Sequence, residues 1–90
     1  MFEVVWTTQA ANDMQYWALA HDRRRIDRIK ALVESIRVDP YRGIGKPERL
    51  RGNLAGCWSR RIDREHRLVY RPTQDGARVE VLAARFHYEK

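Results

Sequence analysis

The residues of this chain that are best suited to chemistry are its arginines. The sequence contains fifteen arginines but only three lysines. A guanidinium binds phosphate through two parallel hydrogen bonds, whereas an ammonium acts as a point charge. The composition therefore indicates phosphate as the leading ligand. A solvated, arginine-rich surface is the alternative, and composition alone does not separate the two.

The formal net charge of +6 is concentrated in one third of the chain. Residues 42–71 contain nine basic and three acidic residues, whereas the rest of the chain contains nine of each. Such a segment favours a polyanionic partner, and we expect it to form one surface that holds phosphate. Its basic residues are Arg42, Lys46, Arg49, Arg51, Arg60, Arg61, Arg64, Arg67 and Arg71.

The length and composition predict one globular domain over residues 1–90. Charged residues make up 33% and hydrophobic residues 43%, without internal repeats, which excludes a disordered or solenoid protein. No apolar run approaches the ~20 residues that span a bilayer, and the N-terminus lacks the features of a signal peptide. We expect a soluble cytoplasmic protein. The single cysteine, Cys57, offers no internal disulfide or metal-ligand spacing and is expected to be buried.

The N-terminal half predicts one strand followed by two helices. Residues 2–6 are apolar and β-prone, and their side chains alternate between two faces. Thr7 or Thr8 can cap a first amphipathic helix, and Asp22 can cap a second. The second helix must end before Pro40, because the residue before a proline disfavours helical dihedrals. Two helices with almost no linker form a hairpin that can cover one face of a sheet.

The C-terminal half predicts three strands, over residues 58–62, 66–71 and 78–86. Residues 41–47 contain two glycines and a proline and are predicted to form a loop. The element order is therefore βααβββ. It predicts an α+β fold in which an antiparallel-rich sheet packs on an N-terminal helical hairpin.

The alternation within these strands predicts where the arginines point. Trp58, Arg60 and Ile62 share one face of their strand, and Arg61 faces the other way. Arg67 of the next strand can point in the same direction as Arg61. We expect the two guanidinium groups to form a concave, cationic surface opposite the helices.

Several ordered motifs resemble those of a known family. They are G-I-G-K-P-E-R-L at residues 43–50, N-L-A-G-C-W-S-R-R-I at 53–62, E-H-R-L-V-Y at 65–70 and R-F-H-Y at 85–88. In this order the chain resembles the YoeB (Txe) branch of the RelE/ParE toxin superfamily, over nearly its whole length. The RelE-like fold that the resemblance implies has the βααβββ order predicted above.

The resemblance also implies an activity and partners. Members of this branch are toxins of type II toxin–antitoxin systems that cleave mRNA in the ribosomal A site, without a metal ion or another cofactor. The implied partners are the ribosome, mRNA and an antitoxin of the YefM/Phd type, with no membrane. Homodimers are known among relatives, but no feature of this sequence decides the oligomeric state.

The resemblance assigns roles to individual residues. Metal-free RNA cleavage needs a base near the ribose 2′-OH, an acid near the leaving oxygen and cations around the phosphorus. Glu48 matches the family's catalytic base, Arg67 its transition-state arginine and His87 its general acid. Tyr88 would stack on a base or bind the phosphate by a hydrogen bond.

Two further arginines match phosphate-binding positions of the family. Arg61 is one, and Arg51 occupies a position that is often lysine, a change that keeps the charge but alters the donor geometry. The chain also extends beyond the terminal His-Tyr pair by two residues, Glu89 and Lys90. We expect His66 to pack within the fold rather than to act in the site.

Two other functions are consistent with the fold. A ParE-like toxin would inhibit DNA gyrase by binding and would need no acid–base pair, so the joint presence of Glu48, Arg67 and His87 argues against it. A non-catalytic module would bind RNA or ribosomes through the basic sheet alone. Such a module would tolerate Glu48→Gln and His87→Phe.

Overall fold

The structure is a computed structural model that describes residues 1–85. Strand β1 (Glu3–Trp6) is followed by helices α1 (Thr8–Leu19) and α2 (Arg23–Val38). The Thr7 hydroxyl accepts a hydrogen bond from the backbone N–H of Ala10, and an Asp22 carboxylate oxygen accepts one from Arg25 N–H. Both predicted caps are confirmed. Within residues 1–85, both α-helices are too short or too polar to cross a membrane.

Four more strands complete the described part of the chain: β2 (Glu48–Arg49), β3 (Trp58–Arg61), β4 (Arg67–Pro72) and β5 (Arg78–Ala83). The sheet has the order β1-β5-β4-β3-β2, in which β1 runs parallel to β5 and the other pairs are antiparallel. The predicted α+β architecture is confirmed.

Two strands differ from the sequence prediction by more than one residue. The sequence does not predict strand β2, because two residues are too short to show alternation. It predicts that the last strand reaches residue 86, but β5 ends at Ala83, since the chain bends at Ala84 and Arg85. Residue 86 lies outside the described residues.

The two helices cover one face of the sheet and enclose the main core. Trp17 of α1 and Ile29 and Leu32 of α2 pack there against alternate residues of the strands. Burying this apolar surface supplies most of the stabilisation of the fold. The strand residues that are buried in this core include Leu68, Tyr70, Val79 and Val81.

A smaller apolar cluster lies on the opposite, open face of the sheet. Its buried members are Leu50, Cys57 and Val69. The burial expected for Cys57 is confirmed, and burial raises the pKa of its thiol above the usual range. The half-buried side chains of Leu54, Leu82 and Ala83 pack against this cluster, so apolar contacts cover part of the open face.

Candidate active site

Glu48 and Arg67 lie together on the open face of the sheet. Glu48 is in the edge strand β2, paired in register with Ser59, and Arg67 is the first residue of β4. Arg67 Nη1 is 3.7 Å from Glu48 Oε1, although strand β3 separates their backbones. The Glu48 side chain is 60% exposed. An ion pair of this length with an exposed carboxylate contributes at most about 1 kcal/mol to stability, so the carboxylate is available to a ligand.

Arg61 adds a second guanidinium to this face. It lies directly opposite Arg67 in the pairing of β3 with β4, and it forms no ion pair with another described residue. Like charges at opposed positions of a sheet repel each other, and Glu48 compensates only one of the two. A phosphate would neutralise the excess charge. The buried Ser59 hydroxyl next to Glu48 has no hydrogen-bond partner among the described residues.

Arg60 is a residue that the sequence reasoning missed. Its guanidinium is fully buried on the helix side of the sheet, so it does not belong to the cationic surface expected from residues 42–71. All five of its N–H groups donate hydrogen bonds to neutral oxygens. The acceptors are Tyr70 Oη (3.0 Å), Ser35 Oγ (2.7 Å) and the carbonyl oxygens of Asp39 (2.7 Å), Arg42 (3.0 Å) and Ile44 (3.1 Å). The sequence does contain a signal for this burial, because Arg60 shares the apolar face of its strand with Trp58 and Ile62.

The loop that leads to Glu48 folds around Arg60. The Tyr70 hydroxyl donates a hydrogen bond to Pro40 O at 2.6 Å, and the Arg61 N–H donates one to Gly45 O at 2.7 Å. Gly45 has a φ of +84°, which favours glycine. A Cβ at Gly45 would lie 2.6 Å from Leu32 Cδ2. Buried contacts therefore fix the path of the backbone to the candidate base.

We expect Gly45→Ala to lower the free energy of unfolding by about 2–3 kcal/mol, because backbone strain adds to overlap with Leu32. Gly56→Ala is the matched control, since Gly56 has a φ of +91° and an added Cβ would meet no atom within 4 Å. Its cost should be about 1 kcal/mol, from backbone strain alone. Urea unfolding of both variants measures the difference. Equal losses would show that the packing of Gly45 against Leu32 is unimportant.

The turn between β3 and β4 sets the position of Arg67. Asp63 Oδ1 accepts hydrogen bonds from the backbone N–H groups of Glu65 (2.8 Å) and His66 (2.7 Å). Asp63 Oδ2 accepts one from Arg25 Nε at 2.6 Å, which ties the turn to α2. His66 is buried and its ring packs edge-on against Trp17, with 4.8 Å between ring centroids. The expected packing role of His66 is confirmed.

The hydrogen bonds to Asp63 make the stability of the turn depend on pH. Partial burial alone would raise the pKa of Asp63, but the N–H groups of His66 and Glu65 and the Arg25 guanidinium together lower it below its usual range. The stabilisation from Asp63 is therefore present above the unfolded-state pKa of about 3.9, and it is lost as the pH falls through the lower folded value.

We expect Asp63→Asn to cost about 1 kcal/mol at neutral pH and to flatten the loss of stability below about pH 4. Urea unfolding at a series of pH values measures both effects. Asp27→Asn is the control, because Asp27 is exposed on α2 and forms no ion pair with another described residue. An unchanged acid profile for Asp63→Asn would contradict the role given to this carboxylate.

Of the remaining predicted site residues, only Arg51 lies in the described part of the chain, and it is not joined to the pair of Glu48 and Arg67. Arg51 is exposed just beyond β2, and no hydrogen bond or ion pair among the described residues connects it to the pair. His87 and Tyr88 lie outside the described residues, so their roles stay predictions. Within residues 1–85, no three His, Cys, Asp or Glu side chains are grouped so that they could hold a metal ion.

Helix α1 fixes the backbone just before the predicted His-Tyr pair. An Asp13 carboxylate oxygen accepts a hydrogen bond from Ala84 N–H, and Trp17 Nε1 donates one to Ala84 O, both at 2.9 Å. The Arg85 guanidinium then stacks on Tyr16, 3.6 Å from the ring centroid. Two adjacent residues are thus held against α1 at the end of the described chain.

Comparisons with known proteins show which proteins this chain is similar to. Residues 6–88 match a family model described as a YoeB-like toxin of bacterial type II toxin–antitoxin systems. Toxin YoeB of Mycobacterium bovis is 51% identical, over 98% of this chain and 100% of the relative. The solved YoeB/ParE toxin from Agrobacterium tumefaciens is 44% identical, over 97% of this chain and 100% of that one, with a TM-score of 0.89.

Two structures from Staphylococcus aureus are also similar. The YoeB dimer is 38% identical over 97% of this chain and 98% of that one, and the YoeB–YefM complex is 34% identical over 98% and 99%. Both have a TM-score of 0.82. A helical hairpin on one face of a five-stranded sheet is the RelE-like fold, which the chain shares with these solved toxins. The chain belongs to the family of YoeB-like toxins of bacterial type II toxin–antitoxin systems.

Proposed function

We propose that the protein is a ribosome-dependent endoribonuclease that cleaves mRNA in the ribosomal A site and so inhibits translation. The observation that carries this proposal is the placement of an exposed carboxylate, Glu48, 3.7 Å from Arg67 and beside Arg61. A general base next to cations that can hold a phosphate is what metal-free RNA cleavage needs. Membership of the toxin family supports the same function.

In the proposed reaction Glu48 accepts the proton of the ribose 2′-OH. The 2′ oxygen attacks the adjacent phosphorus while the bond to the 5′ oxygen breaks, and His87 gives a proton to that leaving oxygen. The products are a 2′,3′-cyclic phosphate and a 5′-hydroxyl end. Arg67 and Arg61 neutralise the charge that builds up on the phosphate oxygens, and Tyr88 positions a neighbouring base.

The proposed partners follow from the relatives and from the charge. The Staphylococcus aureus protein was solved as a YoeB dimer and as a complex with YefM. We extend both to this chain: an antitoxin of the YefM/Phd type binds it, and it can form a homodimer. An acidic antitoxin segment that covers Arg61 and Arg67 would neutralise the same charge as the phosphate does.

Mapping of mRNA 5′ ends tests the proposed function. The protein is added to a translating extract and, in parallel, to the same purified mRNA without ribosomes. The proposal expects new 5′ ends inside codons only where ribosomes are present. Intact mRNA in the translating extract would contradict the nuclease and favour a ParE-like or purely binding role, and equal cleavage without ribosomes would contradict ribosome dependence.

A further inference from the structure

A buried serine lies on the open face of the sheet, beside the candidate base. Ser59 is the second residue of β3 and is fully buried. It is paired in register with Glu48 of β2 on one side and with Val69 of β4 on the other. Opposed side chains of adjacent antiparallel strands lie on the same face, with Cβ atoms about 4.5–5.5 Å apart. A carboxylate oxygen of Glu48 can therefore reach the Ser59 hydroxyl when the glutamate side chain folds back onto the sheet.

The Ser59 hydroxyl has no partner in the protein without ligand. Within residues 1–85 it is the only fully buried side-chain nitrogen or oxygen that forms no hydrogen bond. A buried hydroxyl without a partner destabilises a fold, and alanine would occupy the same position without that cost. The stability of the ligand-free protein therefore does not explain the hydroxyl at this position. A partner that reaches it only when the site is occupied would explain it.

The contact that orients Glu48 is weak and does not survive the binding of a phosphate to Arg67. Arg67 Nη1 is 3.7 Å from Glu48 Oε1, which is longer than the about 2.7–3.2 Å of a direct hydrogen bond. In the proposed reaction Arg67 turns to the phosphate, whose oxygens fit its paired N–H donors. The Glu48 side chain is 60% exposed, so its carboxylate then needs another donor to keep one orientation. The residue opposite it in β3 that carries such a donor is Ser59.

We propose that Ser59 is a positioning residue for the candidate base: its hydroxyl donates a hydrogen bond to one carboxylate oxygen of Glu48 once Arg67 has turned to the phosphate. This role rests on the function proposed above. The carboxylate oxygen bound to Ser59 faces the sheet, which leaves the second oxygen to accept the 2′-OH proton. Ser59 lies beneath the surface and does not itself contact the RNA. It acts by fixing the direction of the base, a requirement of efficient proton transfer.

Ser59→Ala removes the hydroxyl and little else. We expect single-turnover cleavage on saturating, stalled ribosomes to be about tenfold slower, with the ribosome concentration for half-maximal rate unchanged within about twofold. The midpoint of urea unfolding should stay the same or rise, because the hydroxyl has no partner in the ligand-free protein. Cys57→Ala is the matched control, since Cys57 is buried two residues earlier on the same face, in the apolar cluster. It should lower the unfolding midpoint and cleave as the wild type does.

A double-mutant cycle tests whether Ser59 acts through Glu48. In a Glu48→Gln protein, Ser59→Ala should slow cleavage no further, because the carboxylate that the hydroxyl would position is already gone. Equal slowing by Ser59→Ala in both backgrounds would overturn the proposal. So would wild-type cleavage by Ser59→Ala, or a loss of stability as large as that of Cys57→Ala.

A crystal structure with inorganic phosphate separates this proposal from the proposed nuclease. We expect phosphate on Arg61 and Arg67, with Ser59 Oγ within about 3 Å of a Glu48 carboxylate oxygen. Arginines without phosphate, or a bound phosphate with Ser59 Oγ more than about 3.5 Å from the carboxylate, would overturn the positioning role. If the hydrogen bond forms but the wild-type protein leaves ribosome-bound mRNA intact, the proposed nuclease is wrong and the link between Ser59 and Glu48 stands.

Discussion

Glu48→Gln is expected to slow the cleavage of ribosome-bound mRNA by about 10²–10⁴-fold, the usual contribution of a general base. Glutamine keeps the size and most of the polarity of the side chain, but its amide cannot accept the 2′-OH proton. The fold should be unaffected, because the Glu48 side chain is 60% exposed and its ion pair with Arg67 is 3.7 Å long. Single-turnover cleavage on stalled ribosomes measures the rate, and thermal unfolding measures the stability.

Glu65→Gln is the matched control for this prediction. Glu65 is also an exposed acid inside the basic segment, but it lies in the turn between β3 and β4 and contacts neither Arg61 nor Arg67 through a described ion pair. Its removal changes the net charge of the protein by the same amount. We therefore expect wild-type cleavage from Glu65→Gln. A Glu48→Gln protein that cleaves within about threefold of the wild-type rate would exclude Glu48 as the general base.

The helical hairpin and the faces of the strands could be predicted from the sequence because their signals are local. Thr7 and Asp22 cap helices through N–H groups three residues downstream, and α2 ends before Pro40. The alternation in β3 and β4 correctly placed Arg61 and Arg67 on the face opposite the helices. The sequence could not give the register that sets these two residues directly opposite each other, because register depends on the geometry of the turn between the strands.

The candidate base illustrates what the sequence could not provide. The motif indicated Glu48, but its distance from Arg67 depends on β2, a strand of two residues whose partner begins about ten residues later. The path of the chain into β2 depends in turn on carbonyl oxygens that bind Arg60 from 16 to 21 residues away. The composition predicts that Arg60 belongs to a phosphate-binding surface. In the structure its buried guanidinium instead donates hydrogen bonds to the loop that leads to β2.

Arg60→Ala is expected to lower the free energy of unfolding by about 3–5 kcal/mol, which is a large part of the stability of a domain of this size. The substitution leaves the carbonyl oxygens of the 39–44 loop and the Ser35 hydroxyl without their donor, and each buried, unsatisfied acceptor costs about 1–3 kcal/mol. The measured midpoint of thermal unfolding should fall by roughly 15–30 °C. If the alanine variant does not fold, Arg60→Lys provides the measurement instead.

The lysine variant separates the role of the charge from that of the donor geometry. Lysine keeps the positive charge but has three N–H donors for five acceptors, so Arg60→Lys should still cost about 1–3 kcal/mol. Arg61→Ala is the control for stability, because Arg61 is the adjacent arginine on the exposed face and forms no ion pair with a described residue. If Arg60→Lys unfolds at the same temperature as Arg61→Ala, the hydrogen bonds of Arg60 do not hold the loop. If it unfolds at a lower temperature, the loop that carries Glu48 into place depends on a buried guanidinium, and the basic segment serves folding as well as the proposed phosphate binding.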